Sequence, residues 1–222
     1  MEKYKKNINI LLLSIIIFLE LVILILIVTH KNVVVLNEDK VIDENVVFFG
    51  DSITDYYDLN KYYDNYVINS GISGNQTPDL LNRMDDVYKY NPSKVFLLIG
   101  INDLHANRSV DEIADNIENI ILEIKENRKY TQIYVESVYP INREIMTNPS
   151  VYVGNATNED VKLLNKKIKN ICNQLDVTYI DLYNKLIDEN GNLKQSYTKE
   201  GLHISDEGYI EITNILKQYI NE

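Results

Sequence analysis

Val46-Val47-Phe48-Phe49-Gly50-Asp51-Ser52 (46–52) is a four-residue apolar run closed by a glycine and two polar residues. It does not alternate apolar with polar, so a strand built from it is buried on both faces, as in a parallel sheet covered by helices. The same device recurs along the chain. Tyr66–Asn69 ends at Ser70-Gly71, Val95–Ile99 ends at Gly100, and Gln132–Val138 and Val177–Asp181 supply a fourth and a fifth strand.

Helical signals fill the intervals. Thr77-Pro78 reads as an N-cap followed by proline at the first helical position, opening a helix to about Tyr90. Ser109 and Glu112 have capping-box spacing, and Ile113, Ile117, Ile120, Ile121 and Ile124 share one face of a helix to about Asn127. A further helix runs from about Asn158 to Leu175, and a last one starts at Asp206 behind a Ser205 cap. Residues 140–157 lack a clear period and carry Pro149 and Gly154, which predicts a long loop. The alternation predicts an α/β domain over residues 46–222, a five-stranded parallel sheet with helices on both faces.

The 222 residues carry a formal charge of −11, which argues against a nucleic-acid partner because nothing would neutralise phosphates. The single cysteine, Cys172, excludes a disulfide framework and a cysteine-rich metal site; on an apolar helix face it reads as core packing. Of the nineteen residues from Ile10 to Val28, only Ser14 and Glu20 are not apolar. That is about 28 Å of helix, enough to span a bilayer core, and the apolar side chains outweigh the roughly 3 kcal/mol cost of Glu20. Lys3, Lys5 and Lys6 precede the run and no small-x-small cleavage site follows it. The expectation is a cytoplasmic N-terminus (1–9), a transmembrane signal anchor (10–28), a stalk (29–45) and an extracytoplasmic domain, in a single-pass cell-membrane protein. Residues 1–30 hold three lysines against Glu2 and Glu20, so the −11 of the chain becomes −12 for residues 31–222. An acidic domain of this kind favours a neutral substrate.

In parallel α/β sheets, sites lie beyond the carboxyl ends of the strands. There the chain places Asp51-Ser52, then Gly71-Ile72-Ser73-Gly74, then Ile101-Asn102-Asp103, with His203 just ahead of the final helix. A serine hydroxyl becomes a useful nucleophile when a histidine takes its proton, and the histidine needs an acceptor to fix its tautomer. Glu200 stands three residues before His203, across a loop that Gly201 makes pliable. The backbone N–H groups of Ser52 and Gly74 and the side-chain amide of Asn102 are candidate donors to an oxyanion.

GDSITD (50–55), INSGISGNQT (68–77), LLIGIND (97–103) and EGLH (200–203), in this order, resemble the four blocks of the SGNH, or GDSL, hydrolases. ESVYPIN (136–142), VTYIDLYNKLIDENGNL (177–193) and HISDEGY (203–209) are similar to the bacterial platelet-activating-factor acetylhydrolase-like branch. The resemblance covers Val46 to the C-terminus. It implies a flavodoxin-like three-layer α/β/α sandwich, Ser52 as nucleophile, His203 as general base, and Ser52, Gly74 and Asn102 as oxyanion hole, with no metal or organic cofactor. It implies a serine esterase acting through an acyl-enzyme on a small ester or an acylated carbohydrate or lipid. The chain departs from the family's Asp-x-x-His at position 200, where glutamate carries one more methylene. An O-acyltransferase to a cell-envelope sugar and a non-catalytic binding module are the alternatives, the second motivated by that glutamate.

Other residues read as structure. Asp51 and Asp103 are expected to be hydrogen-bonding groups beside the site, and His30 and His105 surface residues. Tyr56, Tyr57, Tyr62, Tyr63 and Tyr66 form a run that either packs or offers a binding platform.

Overall fold

The computed structural model describes residues 18–23, 43–63 and 66–221. The chain divides into two units, Met1–Val41 and Ile42–Glu222. In the first, residues 18–23 are helical; the rest of the expected membrane span 10–28 lies outside the described residues, as do residues 1–9, His30 and most of the stalk. Among the described residues no helix is long and apolar enough to cross a membrane.

The second unit contains β1 (Asp43–Gly50), β2 (Val67–Gly71), β3 (Pro92–Leu98), β4 (Gln132–Glu136) and β5 (Thr178–Ile180). All pairings are parallel, in the order β2-β1-β3-β4-β5, which is the flavodoxin-like order. Right-handed crossovers then fix the layers. The segment between β1 and β2 shares one face with the C-terminal helix, and the helices after β2, β3 and β4 share the other. Register makes this visible in side chains. Phe48, Phe96 and Tyr134 occupy one rung of β1, β3 and β4 and stack at 4.8 and 4.7 Å. Tyr57 meets Phe48 edge-on at 5.8 Å and stacks on Tyr209 of the C-terminal helix at 4.6 Å.

The helices that position the site are α1 (Ser52–Asp55), α2 (Thr77–Leu81), α3 (Ile101–His105), α4 (Val110–Asn127), α5 (Asn158–Leu175) and α6 (Asp206–Ile220). Several expectations need correction. The helix expected from Thr77 to Tyr90 breaks after Leu81 and resumes as a single turn, Asp85–Tyr88. Its N-cap is Gln76, in a capping box with Asp79, because the Thr77 hydroxyl is committed to Asp103 at 2.6 Å. Ser109 does cap α4, accepting from the Glu112 N–H, but the Glu112 carboxylate pairs with Arg108 and completes no box. The expected long loop 140–157 contains the turn Pro149–Tyr152. Strand four stops at Glu136; the Ser137 N–H still reaches the Ile180 carbonyl of β5, and the Val138 N–H turns to the Asn165 side chain. Cys172 is fully buried in the core.

Glu136 at the end of β4 is 3% exposed and accepts a hydrogen bond from the Tyr139 hydroxyl. Burial pushes its carboxyl up to about 7, with the Tyr139 bond opposing. An unfolded glutamic acid titrates near 4.3, so this group supports the fold fully below that pH and ceases to do so as pH rises through about 7. Glu136→Gln, neutral at every pH, is therefore expected to remove roughly 3–4 kcal/mol from the fall in stability between pH 4 and pH 8. Urea unfolding at the two pH values measures it; an identical fall in the variant contradicts the assignment.

Candidate active site

Asp51 leaves β1 and caps α1, accepting from the Ile53 N–H at 3.0 Å. Burial raises its carboxyl to about 7; the Ile53 bond opposes this and the Asp103 charge adds to it. Ser52 is thereby held at the first position of α1, 6% exposed. Asn69 closes the other end of that turn, donating to the Thr54 and Tyr57 carbonyls at 2.7 and 2.9 Å. Ser52 is fixed from both sides by polar groups reaching main chain.

The strand-two loop turns at Gly74, where φ is +82°, a conformation that side chains resist. A Cβ there would meet nothing within 4 Å, so conformation alone demands the glycine. Asn102, on the first turn of α3, donates one amide hydrogen to the Asn75 carbonyl at 2.9 Å. A primary amide has two, and anchoring one aims the other. Neither the Ser52 nor the Gly74 N–H meets an acceptor among the described residues. Asp103 turns away from this cluster. It accepts from the Thr77 N–H and hydroxyl and lies 3.1 Å from Arg108, while burial raises its acidity range against those bonds. Asp51 and Asp103 are thus hydrogen-bonding supports, as expected.

His203 arrives from the opposite end of the sequence. Its Nε2 lies 3.2 Å from Ser52 Oγ and its Nδ1 2.6 Å from Glu200 Oε1. The same carboxylate oxygen accepts from the His203 backbone N–H at 3.0 Å. A carboxylate opposite Nδ1 keeps the proton there and leaves Nε2 as an acceptor for the serine hydroxyl. The extra methylene of glutamate is absorbed by the loop. Gly201 has φ +105°, and a Cβ would stand 2.3 Å from the Asn142 carbonyl oxygen. Thr198 Oγ1 accepts from the Gly201 N–H and donates to the His203 carbonyl, both at 2.8 Å. The Asn142 N–H donates to the Gly201 carbonyl at 2.7 Å.

Ser52, His203 and Glu200 therefore form one hydrogen-bonded row, and Asn102 is tied to the turn that carries Gly74. Among the described residues no group of three His, Cys, Asp or Glu residues is disposed to hold a metal ion. A serine–histidine–carboxylate row at the carboxyl edge of a parallel sheet is the geometry of acyl transfer.

The sequence from residue 48 to 209 matches the family model of the GDSL-like Lipase/Acylhydrolase family. The chain belongs to that family. A solved Streptococcus pneumoniae structure, provisionally described as a platelet activating factor, is 31% identical, with a TM-score of 0.73 over 82% of this chain and 86% of that one. A GDSL-like lipase from Bacteroides thetaiotaomicron shares the fold at 24% identity and a TM-score of 0.71, covering 86% of this chain and 97% of that one. An N-acylneuraminate cytidylyltransferase of Streptococcus agalactiae is 24% identical over 176 residues, 79% of this chain. The chain spans only 38% of that relative's length.

Two features of this GDSL-like site were not anticipated. Arg83 donates from Nη2 to the Gly50 and Ser70 carbonyls at 2.9 and 3.0 Å and from Nε to Asn75 Oδ1 at 2.7 Å. Thr198 and Asn142 stitch the histidine loop, as described. His105, expected at the surface, is partly buried, and a Cβ at Gly154 would stand 2.8 Å from its ring. Gly201→Ala is expected to lower kcat for any accepted ester at least ~10²-fold, since it displaces the histidine loop by about an ångström. Steady-state kinetics measure it, and a loss under threefold contradicts the role given to the loop.

Proposed function

We propose that this hydrolase removes a short acyl group, acetyl being the type, from an alcohol through an acyl-enzyme on Ser52. The observation that carries the reading is the unbroken row Ser52 Oγ···His203 Nε2 at 3.2 Å and His203 Nδ1···Glu200 Oε1 at 2.6 Å. The Ser52 oxygen attacks the ester carbonyl as its proton passes to Nε2. The oxyanion is met by the N–H groups of Ser52 and Gly74 and by the second amide hydrogen of Asn102. Collapse expels the alkoxide, which takes the proton from Nε2, and leaves an ester on Ser52. Water then loses a proton to Nε2, attacks, and releases the acid while Ser52 recovers its proton.

Glu200 holds the imidazole in the productive tautomer and faces the charge it acquires. The alternative of a non-catalytic module rested on the length of glutamate, and the 2.6 Å contact supports catalysis instead. The low exposure of Ser52 favours a small acyl group at the reacting carbon. A membrane tether placing the domain outside the cell rests on the apolar stretch Ile10–Val28 and the lysines before it. The side chains of Phe18, Leu19, Leu21 and Ile23, each more than half exposed, suit a lipid-facing helix.

Ser52→Ala is expected to abolish turnover of a chromogenic acetate ester with the fold intact by circular dichroism; undiminished turnover would sink the proposal. Asn102→Ala is expected to lower kcat ~10²–10³-fold with little change in KM. A loss below threefold removes Asn102 from the oxyanion hole.

A further inference from the structure

In the tyrosine run that follows the nucleophile, Tyr57, Tyr62 and Tyr63 pack, Tyr66 is exposed just before the amino end of β2, and Tyr56 is turned toward the chemistry. Tyr57 is 4% exposed, stacked on Tyr209 and bonded to Thr213. Tyr62 and Tyr63 are partly buried against the core. Tyr56 differs. It is 49% exposed, and its ring centroid lies 5.1 Å from that of His203, with the planes tilted by 50°. The Lys199 ammonium stands 5.9 Å from the same ring.

The side of the nucleophile on which Tyr56 sits has a chemical meaning. After Ser52 attacks, His203 Nε2 must deliver its proton to the departing alkoxide oxygen, so the alcohol portion of the ester lies on the histidine side. The acyl oxygen points the other way, to Gly74 and Asn102. An exposed aromatic face in contact with His203 therefore meets the alcohol portion, not the acyl group.

Resting on the esterase reading, we infer that Tyr56 and Lys199 form the subsite for the alcohol portion of the ester, and that this portion is a sugar ring. A tyrosine face offers a rigid apolar plane of the size of a pyranose at a low cost in conformational freedom. Lys199 offers three N–H donors beside that plane, which suit the hydroxyls around a sugar ring. A fatty alcohol would use the plane but none of the donors. The neighbouring carboxylates are engaged: Glu200 with His203, Asp55 with the Ser73 hydroxyl at 2.6 Å, and Asp206 with Lys61 at 3.0 Å. Lys199 forms no ion pair among the described residues, so its donors remain for a ligand.

The test compares a mono-O-acetylated methyl pyranoside with ethyl acetate, using the full-length chain in detergent. The readout is the ratio of the two kcat/KM values, which cancels any general effect of a variant on His203 or on folding. The wild type is expected to prefer the sugar ester. Tyr56→Ala and Tyr56→Leu are expected to lower the ratio about fivefold, mainly through KM of the sugar ester, whereas Tyr56→Phe keeps it. Lys199→Ala is expected to lower it about threefold. An unchanged ratio in Tyr56→Ala, or a wild type that prefers ethyl acetate, overturns the subsite while leaving the esterase standing. Absence of turnover of both esters by the wild type overturns the esterase reading and the subsite with it.

Discussion

The Arg83 guanidinium is the contact on which the site geometry turns. Two neighbouring parallel strands, β1 and β2, end at Gly50 and Gly71, and the Gly50 carbonyl accepts from the Ile72 N–H just beyond them at 3.1 Å. Arg83 donates to the Gly50 and Ser70 carbonyls from one nitrogen and to Asn75 Oδ1 from another, and lies 4.5 Å over the Phe49 ring. The planar fork and the stacked face are properties of arginine that lysine does not share. Through Asn75 the restraint continues to Asn102, because the Asn75 carbonyl takes one hydrogen of the Asn102 amide. One side chain thus sets the relative height of the loop carrying Ser52 and the two loops carrying Gly74 and Asn102. Burial lowers the Arg83 pKa, against the opposing pull of Asp86, yet arginine retains its charge throughout the physiological range.

Buried carboxylates complete the frame. Asp51 and Asp103 stand at or near the carboxyl ends of β1 and β3, each satisfied by main-chain or threonine donors, and each raised in pKa by burial. Unpaired, such groups would cost several kcal/mol apiece. Directed at backbone N–H groups, they instead lock short helices α1 and α3 whose four or five residues are too few to be stable alone. The histidine loop uses neutral polar groups for the same end, with Thr198 and Asn142 fixing the turn in which Gly201 adopts φ +105°. Precision at Ser52 and His203 therefore comes from groups that touch no substrate.

Much of this was legible in the residues. Apolar runs located all five strands within about three residues, the first three of them closed by glycine, while caps at Ser109 and Ser205 placed α4 and α6 and the apolar period placed α5. The row Ser52, Glu200 and His203 came from position at strand ends and from the family blocks. What escaped had physical causes. Helices α1 and α3 are shorter than two turns and have no period to detect. The break after Leu81 and the role of Arg83 escaped because its main partners are carbonyl oxygens, which every residue carries. Thr77 and Glu112 were placed as capping residues on local sequence alone, whereas Asp103, distant in sequence, claims the Thr77 hydroxyl and Arg108, four residues away, claims the Glu112 carboxylate. Tyr56 was indistinguishable from Tyr57 in a chain with seventeen tyrosines; only the helical turn of α1 sends one inward and leaves the other beside His203.

The central claim is that Ser52 is made nucleophilic by His203. The most direct measurement is covalent capture: incubation of the folded full-length chain with a fluorophosphonate, followed by peptide mass spectrometry. The account predicts stoichiometric modification at Ser52 and, in His203→Ala, a labelling rate lowered by at least two orders of magnitude. A folded wild-type chain that takes no label, or one labelled equally fast without His203, would contradict it.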